Sequence, residues 1–234
     1  EALRGLVTWI ANLYDIGHHH ADEAVRQEAN DLVALLTPIM KSYGTERGCQ
    51  NVSDAMQVCG GSGFTTDWSI EQYYRDLRIA MIYEGTNHIQ ALDLVGRKIP
   101  MGGGRLMMTF AKRAKALIGE ASQSPALAPY AMDLGKAMTD LDEVTRTMMG
   151  KAAQEPEVIG AVASNYLNLF ALSTLGYIWL QQLITIGDRE GRFYELKRKS
   201  AHYYFKMVLP ERHAYAALVA EGNESIKRFA PEDF

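Results

Sequence analysis

Glu84 is the acidic residue whose surroundings best suit chemistry, and it stands in the run "IYEGTNHIQ" of residues 82–90. The apolar residues before it, Ile79–Ile82, would remove its carboxylate from water. Desolvation raises the proton affinity of a carboxylate, as a general base for a weak carbon acid requires. Gly85 leaves space for a ligand, and the helix predicted to follow offers free amides to an anionic or oxygen-rich group. A solvated or capping acid is the alternative, and the pattern alone does not choose.

A glycine-rich segment, "QVCGGSGF" at residues 57–64, is the second candidate site. The pattern predicts that a helix ends at Gly60 and Gly61 and leaves backbone amides uncovered. A phosphate or another stretch of backbone could approach such amides closely. A helix C-cap followed by a tight turn explains the same residues equally well.

Two further motifs predict no ligand site. His18–His20 are followed by Asp22 and Glu23, but consecutive histidines point in different directions on a helix. We therefore predict an exposed loop between helices and no metal site. The triple glycine at 102–104 lacks the lysine and the spacing of a phosphate-binding loop, so it is interpreted as a hinge.

Composition narrows the classes of protein. The 234 residues carry a net charge of −4 and are 47% hydrophobic and 22% charged, which is typical of a globular protein. No basic stripe with interleaved aromatic residues is present, so a nucleic-acid partner is not expected. Cys49 and Cys59 match neither a metal pair nor a disulfide framework, and they are interpreted as small apolar core residues of a protein kept reduced in a cytosol.

Apolar residues recur at helical spacing through nearly the whole chain, and no run alternates as a strand does. The fold class predicted is all-α, an up-and-down helical bundle followed by a second helical extension. The predicted apolar stripes are Leu3–Leu13, Val25–Tyr43, Cys49–Cys59, Ile70–Met81 and Ile89–Ile99, and further helical patterns cover 105–120, 127–150, 155–187 and 190–221.

Local signals predict where these helices begin and end. Pro38 should kink the second stripe and Gly44 should end it. The run "SIEQ" at residues 69–72 is typical of a capping box, and Thr86 or Asn87 should cap the helix after Glu84. Pro210 should kink or break the last pattern.

The stretch "PMGGGR" at residues 100–105 is the clearest linker, so we predict two units, 1–100 and 101–234.

Residues 158–187 carry no charge and are long enough to span a bilayer. They nevertheless contain polar residues that hydrocarbon would leave unpaired, which favours a buried helix over a membrane span. These polar residues are Ser164, Asn165, Asn168, Ser173, Thr174, Gln181, Gln182 and Thr185.

Taken together, residues 55–99 resemble the C-terminal helical domain of the acyl-CoA dehydrogenases. The motifs that carry the resemblance occur in order: "QVCGGSGF", then "YRDLRI", then "IYEGTNHIQ". Residues 1–54 look like the preceding helices of that domain. The part from about residue 101 resembles, through "DLVGRKIPMGGGR" and its helical pattern, the extension of larger bacterial members.

The resemblance implies a role for each matching residue. Glu84 matches the base that removes the α-proton of an acyl-CoA thioester while the β-hydrogen passes as hydride to FAD. Gly85 would lie beside the bound thioester. Gln57, Val58, Cys59, Gly60 and Gly61 match the segment that contacts the FAD of a neighbouring subunit, and Thr86, Asn87 and His88 match the FAD-contacting helix start.

The resemblance also implies a setting for the chain. It looks like the C-terminal part of a bacterial, cytoplasmic homo-oligomer, a dimer or tetramer, with an electron-transferring flavoprotein as acceptor and no membrane span. The family's N-terminal helical and middle β-domains are absent from these residues, so the fragment alone is expected to be inactive. Two alternatives stay open: an acyl-CoA oxidase that uses oxygen, and a non-catalytic helical assembly module.

Overall fold

The computed structural model describes residues 1–233, and these residues form nine α-helices with no strand in that range. Short 3-10 and π-helical segments join several of the helices. The predicted all-α class is therefore confirmed. The α-helices are α1 (Ala2–His19), α2 (Glu23–Cys59), α3 (Ile70–Arg78), α4 (Asn87–Asp93), α5 (Arg105–Ala121), α6 (Ala128–Gln154), α7 (Val158–Ile186), α8 (Arg192–Tyr203) and α9 (Arg212–Glu221).

Helix α2 is one continuous helix of 37 residues, so the predicted end at Gly44 is wrong. Asp22 caps its N-terminus, since the Asp22 side chain accepts a hydrogen bond from the Ala24 amide at 2.8 Å. Pro38 removes one backbone donor from the helix interior, yet it is buried together with its neighbour Ile39. Burial of the apolar face of α2 keeps the helix continuous through Pro38 and Gly44, because apolar burial outweighs a single lost hydrogen bond.

Helix α7 occupies the centre of the core and packs against α1, α2, α4, α5, α6, α8 and α9. Its Phe170 ring lies 5.5 Å from that of Phe110 on α5, and its Tyr177 ring lies 5.0 Å from that of Trp9 on α1. By length and composition α7 could cross a membrane, but 67% of its most apolar stretch is buried inside the protein. The predicted buried helix is what the structure contains.

The two predicted units share one hydrophobic core, which runs from Leu6 through Leu94 to Leu209. Ion pairs between helices join them as well: Arg105 on α5 donates to both carboxylate oxygens of Asp31 on α2, at 2.8 and 3.0 Å. The glycines at 102–104 all have positive φ, from 60° to 88°, and turn the chain into α5. The boundary near residue 101 stays a prediction.

Some local expectations need correction. Cys49 is buried, as predicted, but Cys59 is exposed at the end of α2, where the chain turns away from the core. His18 and His19 belong to the last turn of α1 and only His20 lies beyond it, so they are not all in a loop. No group of metal-ligating side chains occurs within residues 1–233.

The helix ends agree in part with their predicted signals. Ser69 precedes α3 without a capping hydrogen bond, so the predicted capping box does not form. Thr86 does cap α4, since its hydroxyl accepts from the Ile89 amide at 3.4 Å. Pro210 lies in a 3-10 segment between α8 and α9, which confirms the predicted break.

Candidate functional site

Glu84 has an unusual backbone conformation. Its φ is 54°, and it is the only residue other than glycine with positive φ within the range 1–233. The left-handed conformation costs an L-residue roughly 1–2 kcal/mol. Residues held in such conformations cluster at functional sites, where the surrounding structure enforces them. Gly85 follows with a φ of 82°, so the chain turns sharply between α3 and α4.

Hydrogen bonds to two successive carbonyl groups hold this turn. Gln90, on α4, donates from Nε2 to the Glu84 carbonyl at 3.0 Å. Lys41, on α2, donates from Nζ to the Gly85 carbonyl at 2.6 Å. Both donors lie on helices that pack in the bundle, so the orientation of the peptide groups around Glu84 is set by tertiary contacts.

Asn87 and His88 anchor the start of α4. The Asn87 side chain donates to the Ser42 carbonyl at 3.2 Å and accepts from Lys41 Nζ at 3.1 Å and from Thr45 Oγ1 at 3.2 Å. Nδ1 of His88 is hydrogen-bonded to Oγ of Ser164 on α7 at 2.9 Å. Helix α4 is thereby fixed to both α2 and α7.

Glu84 and Gly85 line a groove of about 450 Å³ between α2 and α4. The other lining residues are Ala34, Thr37, Pro38, Ile89, Gln90, Asp93, Arg97 and Lys98. The basic residues at one end are compensated, because Arg97 and Lys98 both pair with Asp93. Glu84 is therefore the unpaired carboxylate of the groove.

The predicted desolvation of Glu84 is not provided by the described residues. Glu84 is exposed, and the preceding apolar side chains face outward with it: Ile79 is 53% exposed, Ile82 50% and Tyr83 53%. The reason is that α3 buries no residue and lies at the surface of the bundle.

The glycine-rich segment lines a second, separate hollow of about 440 Å³. Gln57, Gly60 and Gly61 contribute to it, together with Ser53, Met56, Phe64 and Tyr74. A side chain at Gly60 or Gly61 would meet no atom within 4 Å, so there is open space beside both residues, but the Gly60 amide itself donates to the Gln57 carbonyl and is not free as the sequence suggested. Val58 and Cys59 are also exposed.

The predicted site residues thus form two groups. The residues from Glu84 to His88 lie together at the α3–α4 turn, whereas those from Gln57 to Gly61 lie at the end of α2, where Gln57, Gly60 and Gly61 line a different hollow. Sequence reasoning missed Lys41, Thr45 and Gln90. Lys41 is 44 residues from its partner Gly85, and no local pattern reveals such a contact.

Large apolar side chains are exposed along the whole segment that joins the two groups. Many large apolar side chains exposed in one segment are typical of a surface that another molecule or domain covers. These residues are Val58, Phe64, Trp68, Tyr73, Ile79, Ile82, Tyr83 and Ile89.

Two family models match the chain in succession. "Acyl-CoA dehydrogenase, C-terminal domain" matches residues 2–99, and "Acetyl-CoA dehydrogenase C-terminal like" matches residues 106–229. The helical fold and the acid at a constrained helix–helix turn agree with these assignments. The chain belongs to the acyl-CoA dehydrogenase family.

Curated relatives extend the comparison. A 3-methylmercaptopropionyl-CoA dehydrogenase from Ruegeria pomeroyi is 33% identical over 97% of this chain and 39% of its own length. A broad-specificity linear acyl-CoA dehydrogenase from Mycobacterium tuberculosis is 29% identical over 90% of this chain and 37% of its own length. The chain therefore spans less than half the length of either relative.

Solved structures share the fold. Caenorhabditis elegans ACDH-11, in complex with C11-CoA, superposes with a TM-score of 0.73 at 20% identity over 88% of this chain and 33% of its own. An acyl-CoA dehydrogenase from Bacillus anthracis, complexed with FAD, gives a TM-score of 0.69 at 20% identity over 97% of this chain and 42% of its own.

Proposed function

We propose that the chain is the C-terminal helical part of an FAD-dependent acyl-CoA dehydrogenase, in which Glu84 is the catalytic base. The observation that carries the proposal is the left-handed conformation of Glu84, held by hydrogen bonds to the carbonyls of Glu84 and Gly85. A solvated loop acid has no need of such a conformation, whereas a base must be aimed at one carbon atom.

The chemistry follows from the position of Glu84. Its carboxylate takes the α-proton of the thioester, and the electrons of that C–H bond form the new carbon–carbon double bond as the β-hydrogen departs with its electron pair. FAD, when bound, supplies the acceptor for that hydride. Within residues 1–233 the Glu84 amide donates no hydrogen bond, so it is available to the thioester carbonyl, where it would stabilise developing negative charge.

The residues around both groups fit a flavin nucleotide. The open space beside Gly60 and Gly61 leaves room for phosphate or ribose to approach the chain, and the exposed side chains of Val58 and Phe64 can cover an aromatic ring. Thr86 and His88 lie at the exposed start of α4. The Asn87 side chain is engaged by α2, so we assign any flavin contact of Asn87 to its backbone.

The proposed setting is that of a bacterial cytoplasmic enzyme. Acyl-CoA is the substrate class, an electron-transferring flavoprotein is the acceptor, and the enzyme is a homo-oligomer. Because the chain spans 39% of its relative from Ruegeria pomeroyi, we expect other parts of the enzyme to shield Glu84 from water. We accordingly propose that residues 1–234 alone do not turn over acyl-CoA.

Replacement of Glu84 by glutamine in the full-length natural protein tests the proposal. Glutamine keeps the size and removes the base, so the rate of anaerobic flavin reduction by acyl-CoA should fall by at least roughly 10²–10⁴-fold with flavin content retained. The matched control is Glu46→Gln, an exposed acid on α2, which should reduce flavin at the native rate. An unchanged rate in Glu84→Gln refutes Glu84 as the base.

The acceptor requires a second measurement on the same protein. After acyl-CoA has reduced the flavin, reoxidation by an electron-transferring flavoprotein is compared with peroxide formation in air. Fast transfer to the flavoprotein supports a dehydrogenase. Stoichiometric peroxide at a comparable rate contradicts the proposed acceptor and identifies an oxidase.

A further inference from the structure

Lys41 makes contacts that are unusual for a lysine in a helical bundle. It lies in the middle of α2, half-buried, and its ammonium reaches the turn between α3 and α4. There it donates to the Gly85 carbonyl at 2.6 Å and to Oδ1 of Asn87 at 3.1 Å. Bonds from a charged donor are roughly twice as strong as neutral ones, so these two dominate the attachment of the turn to α2.

No carboxylate forms an ion pair with Lys41 among the described residues, although lysines elsewhere in the chain have such partners. Its charge is instead compensated by neutral oxygens and, at longer range, by Glu84. Burial lowers the pKa of Lys41, and the negative charge of Glu84 opposes that shift. An ordinary structural lysine would extend its ammonium into water.

Lys41 and Gln90 hold two successive carbonyl groups on the C-terminal side of Glu84. Gln90 holds the carbonyl of Glu84, and Lys41 holds that of Gly85. The bond to the Glu84 carbonyl fixes the peptide unit that directly follows Glu84, and the bond to the Gly85 carbonyl fixes the next one, so loss of either loosens the turn in which φ of Glu84 is 54°. Without that restraint, relaxation to an ordinary φ relieves strain and turns the carboxylate away from its present direction.

We propose that Lys41 is a positioning residue for Glu84: through the Gly85 carbonyl and Asn87 it holds the turn that aims the Glu84 carboxylate into the groove. This inference rests on the proposed function, because it assigns to Lys41 an effect on the base. Lys41 itself need not touch the substrate. Thr45 supports it from the next turn of α2 by donating to the same oxygen of Asn87.

The test uses the full-length natural protein with bound FAD and three variants at this position. Lys41→Met keeps the length of the side chain and removes the donor, Lys41→Gln supplies a neutral donor, and Lys41→Arg supplies a charged one. The matched control is Lys112→Met on α5, where the lysine is exposed. The readout is the rate of anaerobic flavin reduction by acyl-CoA, divided by the flavin bound.

We expect Lys41→Met to slow reduction per bound flavin by about 10–100-fold, since a misplacement of about 1 Å has an effect of that size. Lys41→Arg should recover part of the rate, Lys41→Gln should fall between the two, and Lys112→Met should match the native protein. A purely structural lysine would lower flavin content and Tm but leave the rate per bound flavin unchanged. That result, in either Lys41→Met or Lys41→Gln, overturns the inference.

A double-mutant cycle separates this inference from the proposed function. If Lys41 acts through the base, Lys41→Met should have almost no effect on the residual rate in the Glu84→Gln background. Equal fold losses in both backgrounds refute positioning of Glu84. If Glu84→Gln alone leaves the rate unchanged, the proposed function fails; if Glu84→Gln is slow and Lys41→Met is not, only the inference about Lys41 fails.

Discussion

The left-handed conformation of Glu84 predicts an inversion of the usual order of alanine and glycine. Both Glu84→Ala and Glu84→Gly remove the carboxylate, and they differ only in the Cβ atom. In the interior of a helix, glycine is less stable than alanine by about 0.5–1 kcal/mol. At Glu84, where φ is 54°, glycine should be the more stable of the two.

The magnitude follows from two opposing terms. Removal of the Cβ atom relieves about 1–2 kcal/mol of left-handed strain. Glycine is also more flexible than alanine in the unfolded chain, and this difference destabilises the folded glycine variant by about 0.5–1 kcal/mol. The net advantage of Glu84→Gly over Glu84→Ala is therefore about 0–1.5 kcal/mol, with a midpoint of about 0.75 kcal/mol, and for a unit of this chain's length the midpoint corresponds to a rise in Tm of roughly 1.5–3 °C.

Thermal unfolding of the purified full-length proteins, followed by circular dichroism, measures this difference. The matched pair Glu46→Ala and Glu46→Gly provides the control, because Glu46 is an exposed residue in the interior of α2. At Glu46 the alanine variant should have the higher Tm. Both variants of Glu84 should lose flavin reduction by acyl-CoA, so a gain in stability would accompany a loss of activity.

The reasoning is refuted if Glu84→Ala is as stable as Glu84→Gly while the Glu46 pair shows the normal order. In that case Glu84 would be free of strain, and the main structural argument for its role would be lost.

Three further outcomes are expected. Phe170→Ala should destabilise the protein by about 3–5 kcal/mol in urea unfolding, since Phe170 is fully buried in the core. Lys227 and Asn223 donate hydrogen bonds to Glu155 and lower its pKa. The ionised Glu155 therefore stabilises the folded protein above the unfolded pKa of 4.5, and this stabilisation is lost as the pH falls through the lower pKa of the folded protein. The Tm difference between the native protein and Glu155→Gln should accordingly shrink below pH 4.5. Gly61→Ala should keep the native Tm, because its methyl group meets no protein atom within 4 Å, but it should lower the flavin content. Gly63→Ala should lower the Tm, because a Cβ atom at residue 63 would lie 2.7 Å from a backbone carbonyl oxygen.

Periodicity in the sequence was sufficient to predict the helical class and most helices, because burial of one apolar face dominates the energy of each helix. It failed at Gly44 on α2, where a local breaker is overridden by continued packing on both sides. It also failed at Cys59, since periodicity places a residue on a face but does not reveal whether another element covers that face.

At the candidate site, too, the sequence predicted some features and missed others. The motif around Glu84 identified the family and the acid, because the order of residue types along the chain carries that information. The pattern did not indicate that Glu84 has positive φ, nor that the preceding isoleucines face outward, since both depend on where α3 ends and what lies beside it.

The sequence by itself therefore determined the fold class, the family and the identity of the acid at the turn. Only the tertiary structure decided how that acid is held, because the restraint comes from Lys41, 44 residues before Gly85, and from Gln90 on the following helix. Contacts between distant segments depend on how the helices pack, and no local pattern of residue types records that packing.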